Sequence, residues 1–204
     1  MFFLQEKPIK FEEFKNLFPL KKFSEGYRGN IYLFIWDSKK YAVKVPLESK
    51  LIPSIKKEAS ILKFLNEKKI SFVPRVVYIG EDFFVYEFIE GIVFKKLLNS
   101  LSKESKDLKF ILRKLLISAY CLDKLGVFKD EFQRPFTNVL VQNKRIYLID
   151  FERGALNKFW KNVPQLIQFL LALGILNKDE TIYLGKLYKK NPKYVIRILL
   201  KRLT

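Results

Sequence analysis

The rhythm of apolar and polar positions changes along the chain. Residues 24–30 are polar and turn-rich, with Gly26 and Gly29. Ile31-Tyr-Leu-Phe-Ile-Trp36 then runs apolar without interruption, the pattern of a buried strand. Asp37-Ser-Lys-Lys40 reads as a hairpin turn, Tyr41-Ala-Val-Lys-Val45 as the returning strand, and Pro46 ends it. From Ser54 the period lengthens: Ile55, Ala59, Leu62 and Leu65 share one helical face, with Lys56, Lys57, Lys63 and Glu67 elsewhere. Val73-Pro74 breaks that helix. Strands over residues 75–80 and 83–88 follow, separated by Glu81-Asp82, and Glu90-Gly91 reads as a hinge.

Beyond Gly91 the apolar spacing is helical over residues 108–125, 164–173 and 181–203. Between the first two lies a strand-loop-strand insert, with Val139-Leu-Val141 and Ile146-Tyr-Leu-Ile149 as its strands. No repeat or low-complexity linker is visible. A strand-rich first part, a hinge and a helical second part predict an α+β domain in two lobes, residues 1–90 and 91–204.

Composition narrows the chemistry. The 204 residues are 49% apolar, enough for one domain with a real core, and the 20 Phe and 10 Tyr are spread along the chain. Lys and Arg number 39 against 21 Asp and Glu, a formal charge of +18. That balance predicts attraction to polyanions: RNA, DNA, nucleotides or acidic membranes. An AT-rich genome or life at high temperature yields the same composition. There is no histidine, which excludes a Ser-His-Asp triad, a His-ligated zinc site and an imidazole base. Cys121 is the single cysteine, so intrachain disulfides and Cys-rich metal sites are excluded, and its apolar surroundings predict a buried small residue. Charge comes too early after Met1 for a secretory signal, and the most apolar window, 166–176, is too short to cross a bilayer. A cytoplasmic protein with no membrane span is expected.

Two residues stand out against this background. Lys44 ends an otherwise apolar strand, where an unpaired ammonium would be costly. It calls for an anionic partner, and Glu58 on the next helix is the natural one; the other reading is an edge lysine facing solvent. Asp150 directly follows four apolar strand residues, a position that suits a metal-binding carboxylate. Its separation from Asn138 suits a short hairpin.

Taken in order, the motifs resemble those of protein kinases. Gly26-Tyr-Arg-Gly-Asn-Ile-Tyr32 resembles the glycine-rich loop, and Tyr41-Ala-Val-Lys44 the strand that presents a lysine to nucleotide phosphates. Phe84-Val-Tyr-Glu-Phe-Ile-Glu-Gly91 resembles the strand and hinge that hold adenine. Residues 127–138 resemble a catalytic loop ending in a metal-binding asparagine, and Tyr147-Leu-Ile-Asp150-Phe-Glu the Asp-Phe-Gly segment. The resemblance covers residues 20–175. It is to the atypical kinase-like families: RIO-type kinases, lipopolysaccharide-core sugar kinases and above all small archaeal predicted Ser/Thr kinases.

The resemblance implies a protein-kinase-like two-lobed fold, with an antiparallel N-lobe sheet carrying one helix and a reduced helical C-lobe. It implies ATP and Mg²⁺ as cofactors and transfer of phosphate to an alcohol, as in a serine/threonine-protein kinase. Lys44 would hold the phosphates and Glu58 orient Lys44, with Gly26 and Gly29 covering the nucleotide. Backbone groups of Glu87, Phe88 and Ile89 would read the base, with Tyr86 behind it. Asn138 and Asp150 would bind Mg²⁺, and Glu131 or Asp130 would align the acceptor hydroxyl.

The sequence also departs from the pattern. Lys129-Asp-Glu131 stands where His-Arg-Asp is usual, and Lys129 could pair with the carboxylates or touch the γ-phosphate. Glu152 replaces the glycine after Asp-Phe, and no activation segment or Ala-Pro-Glu follows. The acceptor is therefore open: a small molecule, a partner protein, an RNA-associated protein or nothing beyond the protein itself. An ATP-binding pseudokinase and an RNA-associated regulatory module are the alternatives. The basic residues Lys186, Lys189, Lys190, Lys193, Arg197, Lys201 and Arg202 on one expected helix are the best nucleic-acid contact.

Overall fold

The computed structural model describes residues 7–26, 29–102 and 105–204. The chain forms two compact units, Met1–Glu90 with Asp150–Arg153, and Gly91–Ile149 with Gly154–Thr204.

The first unit contains α1 (Phe11–Leu17), β1 (Lys21–Glu25), β2 (Gly29–Trp36), β3 (Lys39–Pro46), α2 (Ile52–Glu67), β4 (Val76–Ile79) and β5 (Phe84–Glu87). Its strands form an antiparallel sheet in the order β1-β2-β3-β5-β4. The β2–β3 hairpin is tighter than its polar run suggests. Lys39 and Lys40 already pair with Trp36 and Ile35, so the turn is Asp37-Ser38, both at positive φ (49° and 59°) as a two-residue hairpin demands. Gly29 opposes Pro46, and a Cβ there would lie 2.6 Å from the Val45 carbonyl oxygen, so only glycine lets the strands approach this closely.

Strand alternation sorts β3 into two faces. Tyr41, Val43 and Val45 join Phe34, Phe83 and Val85 in an aromatic core, sealed by Phe11, Phe14 and Phe18 from α1 and the turn after it. Phe14 packs on Phe18 and Phe83, each at 4.8 Å between ring centroids. Burial of rings this size contributes about 1.5–3 kcal/mol each. Neither α1 nor β1 was legible in the pattern. Lys10 supplies no cap to α1, and Asp82 from the β4–β5 turn accepts from the Phe11 N–H instead, at 2.8 Å. On α2 the buried residues are Ile55, Glu58, Ala59, Ile61, Leu62 and Leu65, so one carboxylate shares the apolar face.

The second unit contains β6 (Ile92–Val93), α3 (Phe94–Ser100), α4 (Lys106–Lys124), β7 (Val139–Gln142), β8 (Arg145–Leu148), α5 (Asn162–Ala172), α6 (Lys178–Lys190) and α7 (Pro192–Arg202). A three-stranded sheet, β6-β7-β8, holds the expected hairpin and an unforeseen edge strand. A Cβ on Gly91 would meet that of Leu140 at 2.8 Å, which explains a glycine at this point. The hairpin turn is Asn143-Lys144, again both at positive φ.

The single helix expected over 181–203 is two helices. Pro192 cannot donate to the preceding turn, and Asn191 ends α6 and caps α7 by accepting from the Tyr194 N–H at 3.3 Å. Helix α6 starts earlier than its apolar spacing suggests because Asn177 and Glu180 form a reciprocal capping box. Cys121 is half-buried rather than buried. Among the described residues no helix is long and apolar enough to cross a membrane.

Candidate functional site

Lys44 leaves β3 on the face opposite the aromatic core. Its ammonium donates to a Glu58 carboxylate oxygen at 2.6 Å and to Asp150 at 3.2 Å, and Glu152 lies 3.8 Å away. Glu58 is 3% exposed in its side chain and Lys44 11%, so the pair is withdrawn from water. The other Glu58 oxygen accepts from the Phe151 N–H at 3.1 Å, which ties the segment after β8 to α2. Burial opposes the charge on Lys44, but Glu58, then Asp150 and Glu152, outweigh it and hold the ammonium above its ordinary pKa. The Tyr86 hydroxyl is held protonated, first by desolvation, with the Glu58 and Asp150 charges adding and Lys44 opposing. All of these residues belong to the first unit.

Other predicted residues of this unit are placed less directly. The Gly26 N–H donates to the Gly29 carbonyl at 2.8 Å, closing the base of the loop, while Tyr27 and Arg28 lie outside the described residues. The amides of Glu87 and Phe88 are engaged within the unit, with the carbonyls of Arg75 (2.9 Å) and Lys40 (3.0 Å). Ile89 is therefore the residue of the three whose N–H is uncommitted to the backbone among the described residues. Lys40 pairs with Glu90 and lies over the Phe88 ring. A cavity of about 570 Å³ opens elsewhere on the sheet, lined by Pro19, Phe23, Leu33 and Ile35 among others, and contains none of the predicted residues.

The second unit holds the other cluster. Asn138 is 6% exposed; its side-chain amide donates to Glu131, and its oxygen accepts from the Thr137 hydroxyl at 3.1 Å. Glu131 sits at φ 78°, a left-handed conformation that a non-glycine residue holds only when its surroundings impose it. Asp130 is half-buried beside it. Lys129 is 3% exposed, and its ammonium donates to the Ile149 carbonyl at 2.7 Å, so it braces the strand leading to Asp150.

A carboxylate outside these motifs frames this loop. Asp123 on α4 is fully buried and accepts from the N–H groups of Lys161, Asn162 and Val163, from the Asn162 amide and from the Tyr188 hydroxyl. It caps α5 from outside, where Lys161 supplies no side-chain cap. Asn162 in turn accepts from the Lys129 N–H at 2.8 Å and donates to the Val127 carbonyl at 2.8 Å. The signal was available, since Asp123 continues the apolar face of Leu112, Leu116 and Ala119. The seven basic residues near the C-terminus are all exposed but divided between α6 and α7, and Arg202 pairs with Glu180.

The fold is protein-kinase-like. Residues 19–113 match the phosphotransferase enzyme family (APH). Among solved structures, one described as the streptomycin-ATP-APH(2″)-IIa ternary complex is similar at a TM-score of 0.56 and 18% identity, over 94% of this chain and 86% of that one. No curated protein matches the sequence.

Proposed function

We propose that the chain is an ATP-dependent phosphotransferase that moves a phosphoryl group to an alcohol, with a Ser/Thr side chain of a protein as acceptor. The observation that carries this reading is Lys44, a cation set on a strand among carboxylates from α2 and from the Asp150 segment. A buried ion pair of this kind is a poor device for stability alone. It is a good one for presenting a fixed ammonium to phosphate oxygens.

In this reading Lys44 binds the phosphates and Glu58 holds it in place. Asp150 and, from the sequence motif, Asn138 would hold Mg²⁺ through hard oxygens of the kind it prefers; within the first unit the oxygens of Glu58, Asp150 and Glu152 lie within 4.8 Å of one another. Bound there, Mg²⁺ would neutralise charge on the transferring phosphoryl group. Glu131 is the better of the two acceptor-aligning carboxylates because the Asn138 amide fixes it. It orients the acceptor hydroxyl and takes up its proton as the new O–P bond forms and the bond to ADP breaks. Ile89 offers its N–H to the base, and Gly26 and Gly29 allow close backbone approach to the phosphates.

A small-molecule alcohol is the second reading of the acceptor. The likeness to an APH(2″)-IIa complex whose title names streptomycin and ATP favours it, as does the short path from Arg153 to α5 at Asn162. A transfer assay with γ-labelled ATP, offered protein substrates and small alcohols, tests the function. Wild type transfers label, and Asp150→Asn lowers the rate by about 100-fold or more. ATP binding with no turnover on any acceptor favours the regulatory-module alternative, with the basic surfaces of α6 and α7 as its nucleic-acid contact.

A further inference from the structure

We propose that Glu152 makes nucleotide binding conditional on the divalent cation. This rests on the nucleotide reading above and concerns the position where the kinase-like pattern has glycine.

Lys44 meets three carboxylates, and each has a different status. Glu58 is committed, one oxygen to Lys44 at 2.6 Å and the other to the Phe151 N–H at 3.1 Å, with a side chain only 3% exposed. Asp150, at 38% exposure, is accessible to a ligand. Glu152 is 14% exposed and points its carboxylate at Lys44 from 3.8 Å, while its carbonyl accepts from the Ser54 hydroxyl on α2 at 3.5 Å. Its main chain is thus tied to the helix that carries Glu58, and the third carboxylate is part of the arrangement.

One ammonium therefore shares its surroundings with three negative groups whose oxygens lie within 4.8 Å of one another. A triphosphate seeking Lys44 must compete with Asp150 and Glu152 for it and approach them at short range. In a partly buried setting like-charge repulsion at such distances is strong. With a divalent cation bound, these carboxylates would face a positive charge, and the same oxygens would attract instead of repel. Glycine at 152 would remove one charge and lower the barrier to metal-free nucleotide. Glu152 acts through Lys44 and the cation, which makes it a positioning residue for the form of nucleotide the protein accepts.

Calorimetric titration of the full chain with ATP, in Mg²⁺ and separately in EDTA, tests this on wild type, Glu152→Gln and Glu152→Asp. The readout is the ratio of the metal-free Kd to the Mg²⁺ Kd. In Glu152→Gln it falls by about fivefold or more, through tighter metal-free binding, whereas Glu152→Asp keeps the wild-type ratio. Glu152→Gly gives the same fall and serves should the amide destabilise the cluster. An unchanged ratio in the neutral variants, with Mg²⁺-ATP binding intact, overturns the proposal and leaves the nucleotide reading standing. A wild type that binds ATP in neither condition overturns both.

Discussion

The two clusters solve the problem of placing polar groups in opposite ways. In the first unit, charges from separate stretches of sequence, Lys44, Glu58 and Asp150 with Glu152, are held together mainly by one another. In the second, the Lys129–Asn138 loop is short, and much of its polar framework is fixed by hydrogen bonds around one buried anion, Asp123. An ion-pair cluster can exchange a carboxylate for a phosphate. A framework whose anion already accepts five hydrogen bonds gains nothing from a ligand and serves to hold its neighbours still. In the proposed reading the first cluster binds and the frame of the second positions.

Replacing Lys44 with methionine should break the first cluster most severely. Glu58 is left buried without its countercharge, so we expect a loss of about 3–5 kcal/mol in urea unfolding and of about 100- to 1000-fold in phosphoryl transfer. Adding Glu58→Gln should recover part of the stability but none of the transfer, a double-mutant coupling that mere packing would not produce. Equal stability of Lys44→Met and wild type would show that the pair is not a coupled unit.

Asp123→Asn probes the second cluster and should act on stability with little effect on binding. The amide keeps one acceptor but brings a donor against backbone N–H groups, and the expected loss is about 2–3 kcal/mol. The folded variant's affinity for Mg²⁺-ATP should stay within about twofold, since the groups that bond Asp123, on Lys161, Asn162, Val163 and Tyr188, are not among the proposed ligands of nucleotide or cation. A large drop in affinity without a drop in stability would erase the contrast between the clusters.

The smallest effect is at alkaline pH. Burial, then the Asp123 charge and hydrogen bond, raise the Tyr188 phenol above its ordinary 10.0. The folded chain therefore keeps a proton that the unfolded chain gives up first. The resulting stability is complete below pH about 10 and is lost as pH rises further. Lys44, also raised, adds to the fall in the same sense. Tyr188→Phe should cost about 1 kcal/mol at neutral pH and flatten the alkaline limb of a melting-temperature profile. An identical alkaline limb would remove Tyr188 from the account.

What the sequence made legible follows the same division. The Lys44 strand, the Glu58 helix and the Asn138–Asp150 hairpin were readable because each places a polar residue against a strong apolar period, where its presence needs a reason. Helix α1 was not, since its seven residues are too few for a period and its cap comes from Asp82, distant in sequence. Strand β1, Lys-Lys-Phe-Ser-Glu, has no alternation and is defined by its pairing with β2. The break between α6 and α7 was written in Asn191-Pro192 but was overridden by an apolar spacing that continues across it. Glu152 was visible only as a missing glycine, because its role depends on where the backbone after Asp150 turns.

The central claim, that the Lys44–Asp150 cluster receives Mg²⁺-ATP, is tested most directly by a thermal-shift titration of wild type and Asp150→Asn with ATP, with and without Mg²⁺. At about 100 times Kd the ligand should stabilise wild type by roughly 2.7 kcal/mol, a rise of roughly 5–10 °C for a chain of this size. The account predicts that this rise requires Mg²⁺ and disappears in Asp150→Asn. No rise at millimolar nucleotide, or the same rise in both proteins, would contradict it.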